Sequence, residues 1–355
     1  MARTFRVGTF NMENLFSRIK ALNLLDNSKT TSIFNDVTIL EQLLAKTTYS
    51  LADKAQILKL SASLASYIEI QEDKGRLFSG NIGNQRVIAN GAGDWSGQIS
   101  FRRADISNMA RESTAEVVNN LKADVLCCVE VEDRQVLQSF NKGRLKSPFD
   151  YAMLIDGNDP RGINVGLLSR FELGAIRTHI FDVDAKRKTI FSRDCLEVEL
   201  KLKDGRSLYI LCNHLKSQGY GDSATNDARR FQQATRLAAI LSRYNLARDL
   251  VIVAGDMNDD PTSPALKPLV SVPNLFDVLA LQFPNPKDRW TYLYDGKRNQ
   301  IDFLLVSKPL KAGFKQAVIE RRGLYGVKEV TPFPSVKTAA TAASDHGGIV
   351  AEFSV

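Results

Sequence analysis

Apolar and polar residues follow strand-like spacing along much of the chain, either alternating or forming short aliphatic runs. Four stretches and the start of a fifth carry the helical period instead. The strand patterns predict β-strands at 5–10, 124–129, 151–155, 164–169, 195–202, 207–212, 250–254, 301–306 and 348–353. The helical patterns predict helices at about 37–46, 51–68, 104–121 and 227–244, and another that begins near Arg134. Many strands and few helices favour an α/β fold of two packed sheets flanked by helices.

The stretch from about residue 18 to residue 104 differs from the rest of the chain. It holds two helical patterns and then a Gly/Asn-rich segment, GNIGNQRVIANGAGDWSGQ, typical of loops or short hairpins. The polar motifs described below lie outside it. No repeat and no Pro- or Ser-rich linker divides the sequence. We therefore expect a single domain over 1–355, with an insertion at about 18–104.

Composition places the chain among ordinary globular proteins: 44% of its 355 residues are hydrophobic and 25% are charged. No apolar stretch reaches the length of a membrane span, and the first residues lack a secretory signal pattern. The four cysteines include an adjacent pair, Cys127 and Cys128, which should point to opposite faces of a strand as reduced thiols. We expect a cytoplasmic protein without membrane association, and no feature indicates an obligate protein partner.

The net charge of +7 and the pI near 9.1 suit a polyanionic partner such as nucleic acid. The basic residues come in small groups rather than in one long run. Each group has an alternative explanation as part of an ordinary solvated surface. The groups are Arg102-Arg103, Lys186-Arg187-Lys188, Arg229-Arg230, Lys297-Arg298 and Arg321-Arg322.

The segment LVIVAGDMNDDP carries the most informative polar pair. Asp256 and Asn258 follow a buried-strand pattern, and Gly255 allows the backbone to turn before them. A carboxylate and an amide fixed side by side can orient a water molecule and hydrogen-bond a phosphoryl oxygen. The alternative is an Asp/Asn turn of the kind that follows many strands.

Other polar side chains also lie at strand ends, where loops can bring them to one rim. Taken singly, each could be a solvated carboxylate, a salt-bridge partner or a core histidine. They are Asn11, Glu13, Glu130, His214, Asp302, Asp345 and His346. His346 could pair with Asp302, which would raise its pKa. Oxygen ligands with few histidines favour Mg²⁺ or Mn²⁺ over zinc, and no nucleophile elbow or zinc spacing is present.

The order of these motifs resembles that of the endonuclease/exonuclease/phosphatase superfamily, in particular its nuclease-like members. The successive motifs are FNMEN, ADVLCCVEVED, RGINVGLLSR, NHLKS, GDMNDDP, QIDFLLVS and SDHGG. The resemblance covers 3–16 and about 105–355 and leaves the insertion uncovered. It implies a DNase I-like four-layer αββα sandwich of two mixed β-sheets, with metal-dependent phosphoester hydrolysis at its rim.

The resemblance also implies a role for each motif residue. Asp256 corresponds to the aspartate that orients or deprotonates the attacking water, and Glu130 to the glutamate that binds the metal. The residues implied at the metal site are Asn11, Glu13, Glu130 and Asp345. The residues implied in catalysis are His214, Asp256, Asn258, Asp302 and His346.

Four further residues are candidates for substrate binding: Arg161, Asn164, Arg193 and Lys216. Arg161 lies in the segment where abasic-site endonucleases of this superfamily carry a tyrosine, so that specificity is not expected here. Arg193 and Lys216 have an alternative explanation as members of local salt bridges.

The sequence therefore predicts a divalent-metal-dependent phosphodiesterase that hydrolyses nucleic acid, with DNA favoured, by in-line attack of an activated water. The alternative is a phosphatase or phosphodiesterase for small-molecule or lipid phosphates. An inactive binding module would require the loss of a motif residue, and each one is present. DNA or RNA, single or double strands, and exo- or endonuclease action all stay open at this point.

Overall fold

The computed structural model describes residues 4–15, 21, 27–80, 84–102, 108–218, 222–294 and 296–355. The chain divides into two compact units. Unit 1 combines Met1–Phe16 with Ser107–Val355, and unit 2 is Ser17–Ile106. Unit 2 therefore corresponds closely to the predicted insertion. That the whole chain forms a single domain stays a prediction.

The secondary-structure elements of the described residues are numbered here in chain order. The strands are β1 (Thr4–Leu15), β2 (Ile68–Gly75), β3 (Phe78–Ser79), β4 (Arg86–Val87), β5 (Trp95–Phe101), β6 (Val125–Val131), β7 (Tyr151–Leu154), β8 (Asn164–Ser169), β9 (Glu172–Arg177), β10 (Cys195–Lys201), β11 (Ser207–His214), β12 (Leu250–Asp256), β13 (Leu275–Asp277), β14 (Tyr292–Tyr294), β15 (Lys297–Asn299), β16 (Asp302–Ser307), β17 (Phe314–Glu320) and β18 (Gly348–Ser354). The helices are α1 (Asn27–Leu44), α2 (Leu51–Leu64), α3 (Asn108–Leu121), α4 (Arg134–Arg144), α5 (Ser223–Leu241), α6 (Lys267–Val270), α7 (Val278–Gln282) and α8 (Lys308–Ala312).

Unit 1 contains two six-stranded sheets. The first sheet has the strand order β17-β18-β1-β6-β8-β7, and the second has the order β13-β16-β12-β11-β10-β9. Strands β1 and β6 pair in parallel in the first sheet, as β11 and β12 do in the second. The other pairings in both sheets are antiparallel, so both sheets are mixed.

Three apolar clusters hold these layers together. One cluster lies between the sheets, where Val129 of the first sheet and Ile252 of the second are fully buried. A second packs the outer face of the first sheet against α3 and α4, and a third packs the second sheet against α5. Alternate side chains of each strand thus enter different clusters. The predicted four-layer αββα sandwich is confirmed.

The four cysteines are buried free thiols. Cys127 lies in the cluster between the sheets, whereas Cys128 lies in the cluster beneath α3 and α4. This confirms that the adjacent pair points to opposite faces of β6. Among the helices of the described ranges, none is both long and apolar enough to cross a membrane.

Unit 2 has its own apolar core, in which Leu40 of α1 and Ile57 of α2 are fully buried. Strand β2 pairs with β5, and the short strand β3 pairs with β4. Ser50 caps α2: its hydroxyl accepts a hydrogen bond from the Asp53 amide, and the Asp53 carboxylate accepts one from the Ser50 amide. The predicted helices and hairpins of this stretch are therefore present.

Several predicted bounds need correction. The helix predicted at 37–46 is the longer α1, and the one predicted at 51–68 ends at Leu64 because β2 begins at Ile68. The helix predicted at 227–244 begins at Ser223, where the Asp222 side chain caps it, and it ends at Leu241. The helix predicted at 104–121 is described from Asn108, and its earlier residues lie outside the described ranges.

A buried charge cluster joins β10 to the elements around it. The Glu197 carboxylate accepts hydrogen bonds from Tyr244 (2.7 Å) and Arg177 (2.6 Å), and it also pairs with Arg243. His179 Nε2 lies 3.3 Å from it. Burial alone would raise the pKa of Glu197, but these partners outweigh burial and lower the pKa from 4.5 to about 2. The ionised carboxylate therefore stabilises the fold.

We predict that Glu197→Gln lowers the free energy of unfolding at pH 7 by about 2 kcal/mol, since it removes the buried negative charge that Tyr244, Arg177 and Arg243 contact. Because the folded-state pKa is depressed, this stabilisation is present above about pH 4.5 and is lost as the pH falls towards 2. Urea unfolding at pH 7 and at pH 3 measures the difference in the free energy of unfolding between the wild type and Glu197→Gln. This difference should be smaller at pH 3.

The control is Asp204→Asn, which removes one side of an exposed ion pair with Arg206. Exposed ion pairs contribute little to the free energy of unfolding, so this variant should unfold like the wild type at both pH values. If Glu197→Gln lowered the free energy of unfolding equally at pH 7 and at pH 3, the stabilising role of the ionised Glu197 carboxylate would be contradicted.

Candidate active site

The candidate site lies at one rim of unit 1, where strands of both sheets begin or end. In the second sheet, His214 of β11 is in register with Asp256 of β12, and Asp256 is in register with Asp302 of β16. Three neighbouring strands thus place these side chains in one row. In the first sheet, β1 and β6 run in parallel and carry Asn11 and Glu130 near their carboxyl ends.

Asn11 connects the two sheets at this rim. Its Nδ2 donates a hydrogen bond of 3.1 Å to Asp256 Oδ2, and its Oδ1 accepts one of 3.0 Å from the Glu13 amide. The residue is buried. Because both polar ends are engaged with protein groups, Asn11 can position Asp256 and the backbone at Glu13.

The backbone at the rim adopts unusual conformations. Among the described residues, six non-glycine residues have positive φ, and three of them are Glu13, Glu130 and Asn258. Such strain concentrates at functional sites. Gly255 has φ +132°, and a Cβ there would lie 1.9 Å from the Asn213 carbonyl oxygen. Only glycine therefore fits at this position of β12, next to Asp256, because a side chain would collide with the backbone of β11.

Asp256 is buried and held from both sides. Oδ1 accepts a 2.8 Å hydrogen bond from the Asn258 amide, while Oδ2 accepts one from Asn11 and lies 3.3 Å from Asn258 Nδ2. Desolvation and the nearby charge of Asp302 raise the pKa of Asp256 to about 7. A carboxylate with this pKa can exchange a proton near neutral pH.

His346 is paired with Asp302, as the sequence predicted. Its Nδ1 lies 2.7 Å from Asp302 Oδ2, and its Nε2 lies 3.9 Å from Asp256 Oδ2 and 3.6 Å from Asp345 Oδ1. Desolvation would lower the pKa of His346, but Asp302 and Asp345 outweigh it and raise the pKa well above 6.5. The imidazole therefore carries a positive charge at neutral pH, with an N–H on Nε2.

His214 has the opposite character. Desolvation, followed by the positive charges of Arg193 and His346, holds the pKa of the buried His214 well below 6.5. Its Nε2 lies 3.6 Å from Asp256 Oδ2 and 3.9 Å from Glu130 Oε1. These carboxylates favour the neutral tautomer that carries its proton on Nε2. The site thus holds one neutral and one charged imidazole.

Three further carboxylates gather beside the two histidines: Glu13, Glu130 and Asp345. Glu13 is exposed at the rim, yet desolvation, together with the charges of Asp345 and Glu130, raises its pKa to about 7. Desolvation also raises the pKa of the partly buried Glu130, and Asp345 acts in the same direction against the opposing charge of His346. A bound cation would relieve this repulsion, so the donor set fits a divalent metal.

A second group could also hold a metal ion. Asp256, Asp302 and His346 offer ligand atoms that lie within 4.8 Å of one another. However, His346 directs Nδ1 at Asp302, and its raised pKa keeps both ring nitrogens protonated. A protonated nitrogen cannot ligate a metal. Binding of a metal there would displace a proton from His346, whereas Glu13, Glu130 and Asp345, which the sequence predicted at the metal site, offer only oxygen ligands.

The four predicted substrate-binding residues are engaged with protein groups. Arg161 forms a two-pronged ion pair with Asp159, and the buried Arg193 has its Nε 3.2 Å from the same carboxylate. Asn164 accepts a hydrogen bond from the Gly157 amide and donates one to the Glu132 carbonyl. The Asn164 side chain thus connects the backbone at Gly157 with the backbone at Glu132. The charges of Arg161, Arg193 and Lys216 all lower the pKa of His214, which places them around it.

Sequence reasoning missed four residues that shape the site. Ser344 donates to the Asn11 carbonyl and accepts from the His346 amide. The Thr291 hydroxyl accepts from the Asp302 amide, and the Tyr292 ring lies 4.7 Å from the His346 ring. Asp159 anchors two arginines. Only Ser344 lies inside a recognisable motif, SDH; Tyr292 contacts His346 and Asp159 contacts Arg193 across segments far apart in the sequence.

Comparison with known proteins places these features in a family. Residues 81–320 match the Endonuclease/Exonuclease/phosphatase family. No curated protein sequence matches the chain.

Solved structures share the fold at low sequence identity. TDP2 from D. rerio, complexed with a single strand DNA product, is 16% identical over 71% of this chain and 94% of that chain, with a TM-score of 0.51. An AP endonuclease from Archaeoglobus fulgidus is 18% identical over 70% and 96%, with a TM-score of 0.49. An endonuclease/exonuclease/phosphatase from Bacteroides vulgatus is 14% identical over 70% and 90%, with a TM-score of 0.49.

The family match spans more than half of the 355 residues. Its members are metal-dependent phosphoric ester hydrolases and include nucleases. Both the two mixed sheets and the acidic and histidine groups at the rim agree with that membership. The chain therefore belongs to the endonuclease/exonuclease/phosphatase family of phosphoric ester hydrolases.

Proposed function

We propose that this chain is a divalent-metal-dependent phosphodiesterase that hydrolyses nucleic acid, with DNA as the favoured substrate, by in-line attack of an activated water. The observation that carries the proposal is the buried Asp256 carboxylate, oriented by Asn11 and Asn258 between two histidines of different charge. This arrangement provides a proton acceptor and phosphate-binding donors at one point.

Asp256 is the proposed general base. Hydrogen bonds to both of its oxygens fix the plane of the carboxylate, so a water molecule in contact with it is held in one orientation. Its pKa of about 7 is high enough to accept a proton from that water and low enough to leave a substantial ionised fraction at neutral pH.

The two histidines and Asn258 are the proposed donors to the phosphate. His346 directs a charged N–H towards the space next to Asp256, and His214 directs a neutral one from the neighbouring strand. Donors fixed before the reaction stabilise negative charge that develops on the phosphoryl oxygens. Asp302 is a positioning residue, because it acts through His346.

Glu13, Glu130 and Asp345 are the proposed metal ligands, and Asn11 supports them through the Glu13 amide. Oxygen donors of this kind favour Mg²⁺ or Mn²⁺. When bound, such an ion neutralises charge on the phosphate. Without it, the three carboxylates repel one another and the substrate alike.

Nucleic acid is the proposed substrate because the chain carries a net charge of +7, which attracts a polyanion even though the catalytic rim is acidic. The D. rerio TDP2 structure, which has the same fold, contains a single strand DNA product. Lys216 and Arg161 are the proposed phosphate contacts at the edge of the site. The free, buried cysteines support a reducing, cytoplasmic location.

We predict that Asp256→Asn lowers phosphodiesterase kcat/KM by about 10³-fold, since the amide cannot accept the proton from water. The purified variant and the wild type are incubated with single-stranded DNA, duplex DNA, RNA, inositol phosphates and bis(p-nitrophenyl) phosphate, each with Mg²⁺. Release of cleaved product gives the rates, and thermal unfolding shows that the variant is folded.

The matched control is Asp260→Asn in the same loop, whose carboxylate accepts hydrogen bonds from Thr262. It should cleave like the wild type. Near-normal turnover by Asp256→Asn would overturn the mechanism. Hydrolysis of inositol phosphates in preference to every nucleic acid would overturn the substrate proposal.

We also predict that Asp302→Asn moves the alkaline limb of the pH profile of kcat/KM to lower pH by about 1 to 3 units, the effect of losing one adjacent opposite charge. Asp302 raises the pKa of His346, so its removal lowers that pKa. Activity that needs the protonated imidazole is then lost at lower pH. The chain has three histidines, so NMR titration can follow His346 directly. An unchanged alkaline limb would contradict the role of His346.

A further inference from the structure

The hairpin of β14 and β15 is attached directly to the segment that carries His346. The Leu293 amide donates a 3.2 Å hydrogen bond to the Asp345 carbonyl, and the Gly347 amide donates one of 2.6 Å to the Thr291 carbonyl. Tyr292 and His346 form an isolated antiparallel bridge. Since these bonds flank the catalytic histidine, the hairpin has a fixed position beside it.

Aromatic rings extend from His346 along this hairpin to solvent. The Tyr292 ring centroid lies 4.7 Å from that of His346 and 6.2 Å from that of Tyr294, and the two tyrosine rings are nearly parallel, at 2°. Tyr292 and Tyr294 are two residues apart on one strand and so share a face. Tyr294 is 67% exposed. The outermost ring is therefore free of the apolar core.

The same hairpin face carries a positive charge. Lys297 is exposed and directly opposite Tyr294 in the β14–β15 register, so their side chains leave the same side of the hairpin. Arg298, on the other face, packs over Trp290 and pairs with Glu329. Arg298 is thus engaged with the protein, whereas Lys297 lies beside the exposed ring.

An open aromatic face next to a lysine, fixed near a phosphate-cleaving centre, matches the chemistry of a nucleotide. Bases stack on exposed aromatic rings, and lysines contact the adjoining phosphates. A base within a duplex is already stacked and paired, so it cannot cover Tyr294 without leaving the helix. A small phosphate substrate without a ring would leave Tyr294 uncovered.

We propose that Tyr294 is a stacking platform for an unpaired nucleobase next to the scissile phosphate, with Lys297 beside the backbone of that nucleotide. The site would therefore favour single-stranded or frayed nucleic acid over an intact duplex. This inference rests on the proposed function and deepens it, because it assigns strandedness to the same site.

The test compares Tyr294→Ala, Tyr294→Phe and the wild type on one oligonucleotide sequence, as a single strand and as a duplex, with Mg²⁺. Loss of one stacked base by alanine substitution corresponds to a loss of about 5- to 160-fold in kcat/KM on the single strand. Tyr294→Phe keeps the ring and should retain wild-type activity. The wild type should cleave the single strand faster than the duplex, and Tyr294→Ala should reduce that preference.

Two controls separate stacking from general damage. A strand built only from tetrahydrofuran abasic-site analogues has phosphodiester bonds but no aromatic ring, so Tyr294→Ala should hydrolyse it as fast as the wild type. Tyr151→Ala removes another exposed tyrosine. Tyr151 lies in β7 opposite Ser169, the last residue of β8, whereas Asn164 is the first residue of β8. This variant should cleave both oligonucleotides normally.

A single strand that lacks the base at one position next to the cleaved bond completes the cycle. If Tyr294 stacks on that base, the wild type cleaves this substrate more slowly than the complete strand. The Tyr294→Ala variant then cleaves the two substrates at the same rate. Full single-strand activity of Tyr294→Ala, or an equal loss on the strand of abasic-site analogues, would overturn the platform while leaving the proposed function in place. If the wild type neither binds nor cleaves any oligonucleotide, both proposals fail.

Discussion

Repulsion among carboxylates is the constraint on which the rest of this site depends. Asp256 and Asp302 are cross-strand neighbours in the second sheet, and Glu13, Glu130 and Asp345 lie beside them at the rim. The proton on His346 compensates part of this charge, because its ring lies between Asp302 and the Oδ2 of Asp256. Desolvation and this repulsion keep the pKa values of Glu13 and Glu130 raised, and a divalent cation is the natural partner for such a group.

The fold provides the rigid frame that such a crowded site needs. Two sheets share one apolar cluster, and Asn11 of the first sheet donates to Asp256 of the second, so the rim is tied across the sandwich. Burial then divides the histidines into two kinds. His214 loses its charge through desolvation and nearby cations, whereas His346 keeps its charge through Asp302. One geometry thus combines a buried carboxylate, a neutral imidazole and a charged imidazole.

Much of the frame was predictable, because central strands and motif residues leave local signals. The strand predicted at 164–169 is β8 with the same bounds, and the row of His214, Asp256 and Asp302 follows from residues at the ends of apolar strands. Of the four edge strands of the two large sheets, only β7 was predicted. Strands β9 and β17 are half exposed and lack continuous aliphatic runs, and β13 has only three residues. The helix ends shifted where a capping side chain such as Asp222 acts.

Contacts between distant segments left no such signal. Asp159 pairs with Arg193, and the hairpin brings Tyr292 against His346, yet neither contact has a sequence spacing that reveals it. The most direct test of the account is the anomalous diffraction of crystals soaked in Mn²⁺. The account predicts a single strong peak at the rim bounded by the carboxylates of Glu130 and Asp345. A peak enclosed by Asp256, Asp302 and His346, or no peak at saturating Mn²⁺, would contradict it.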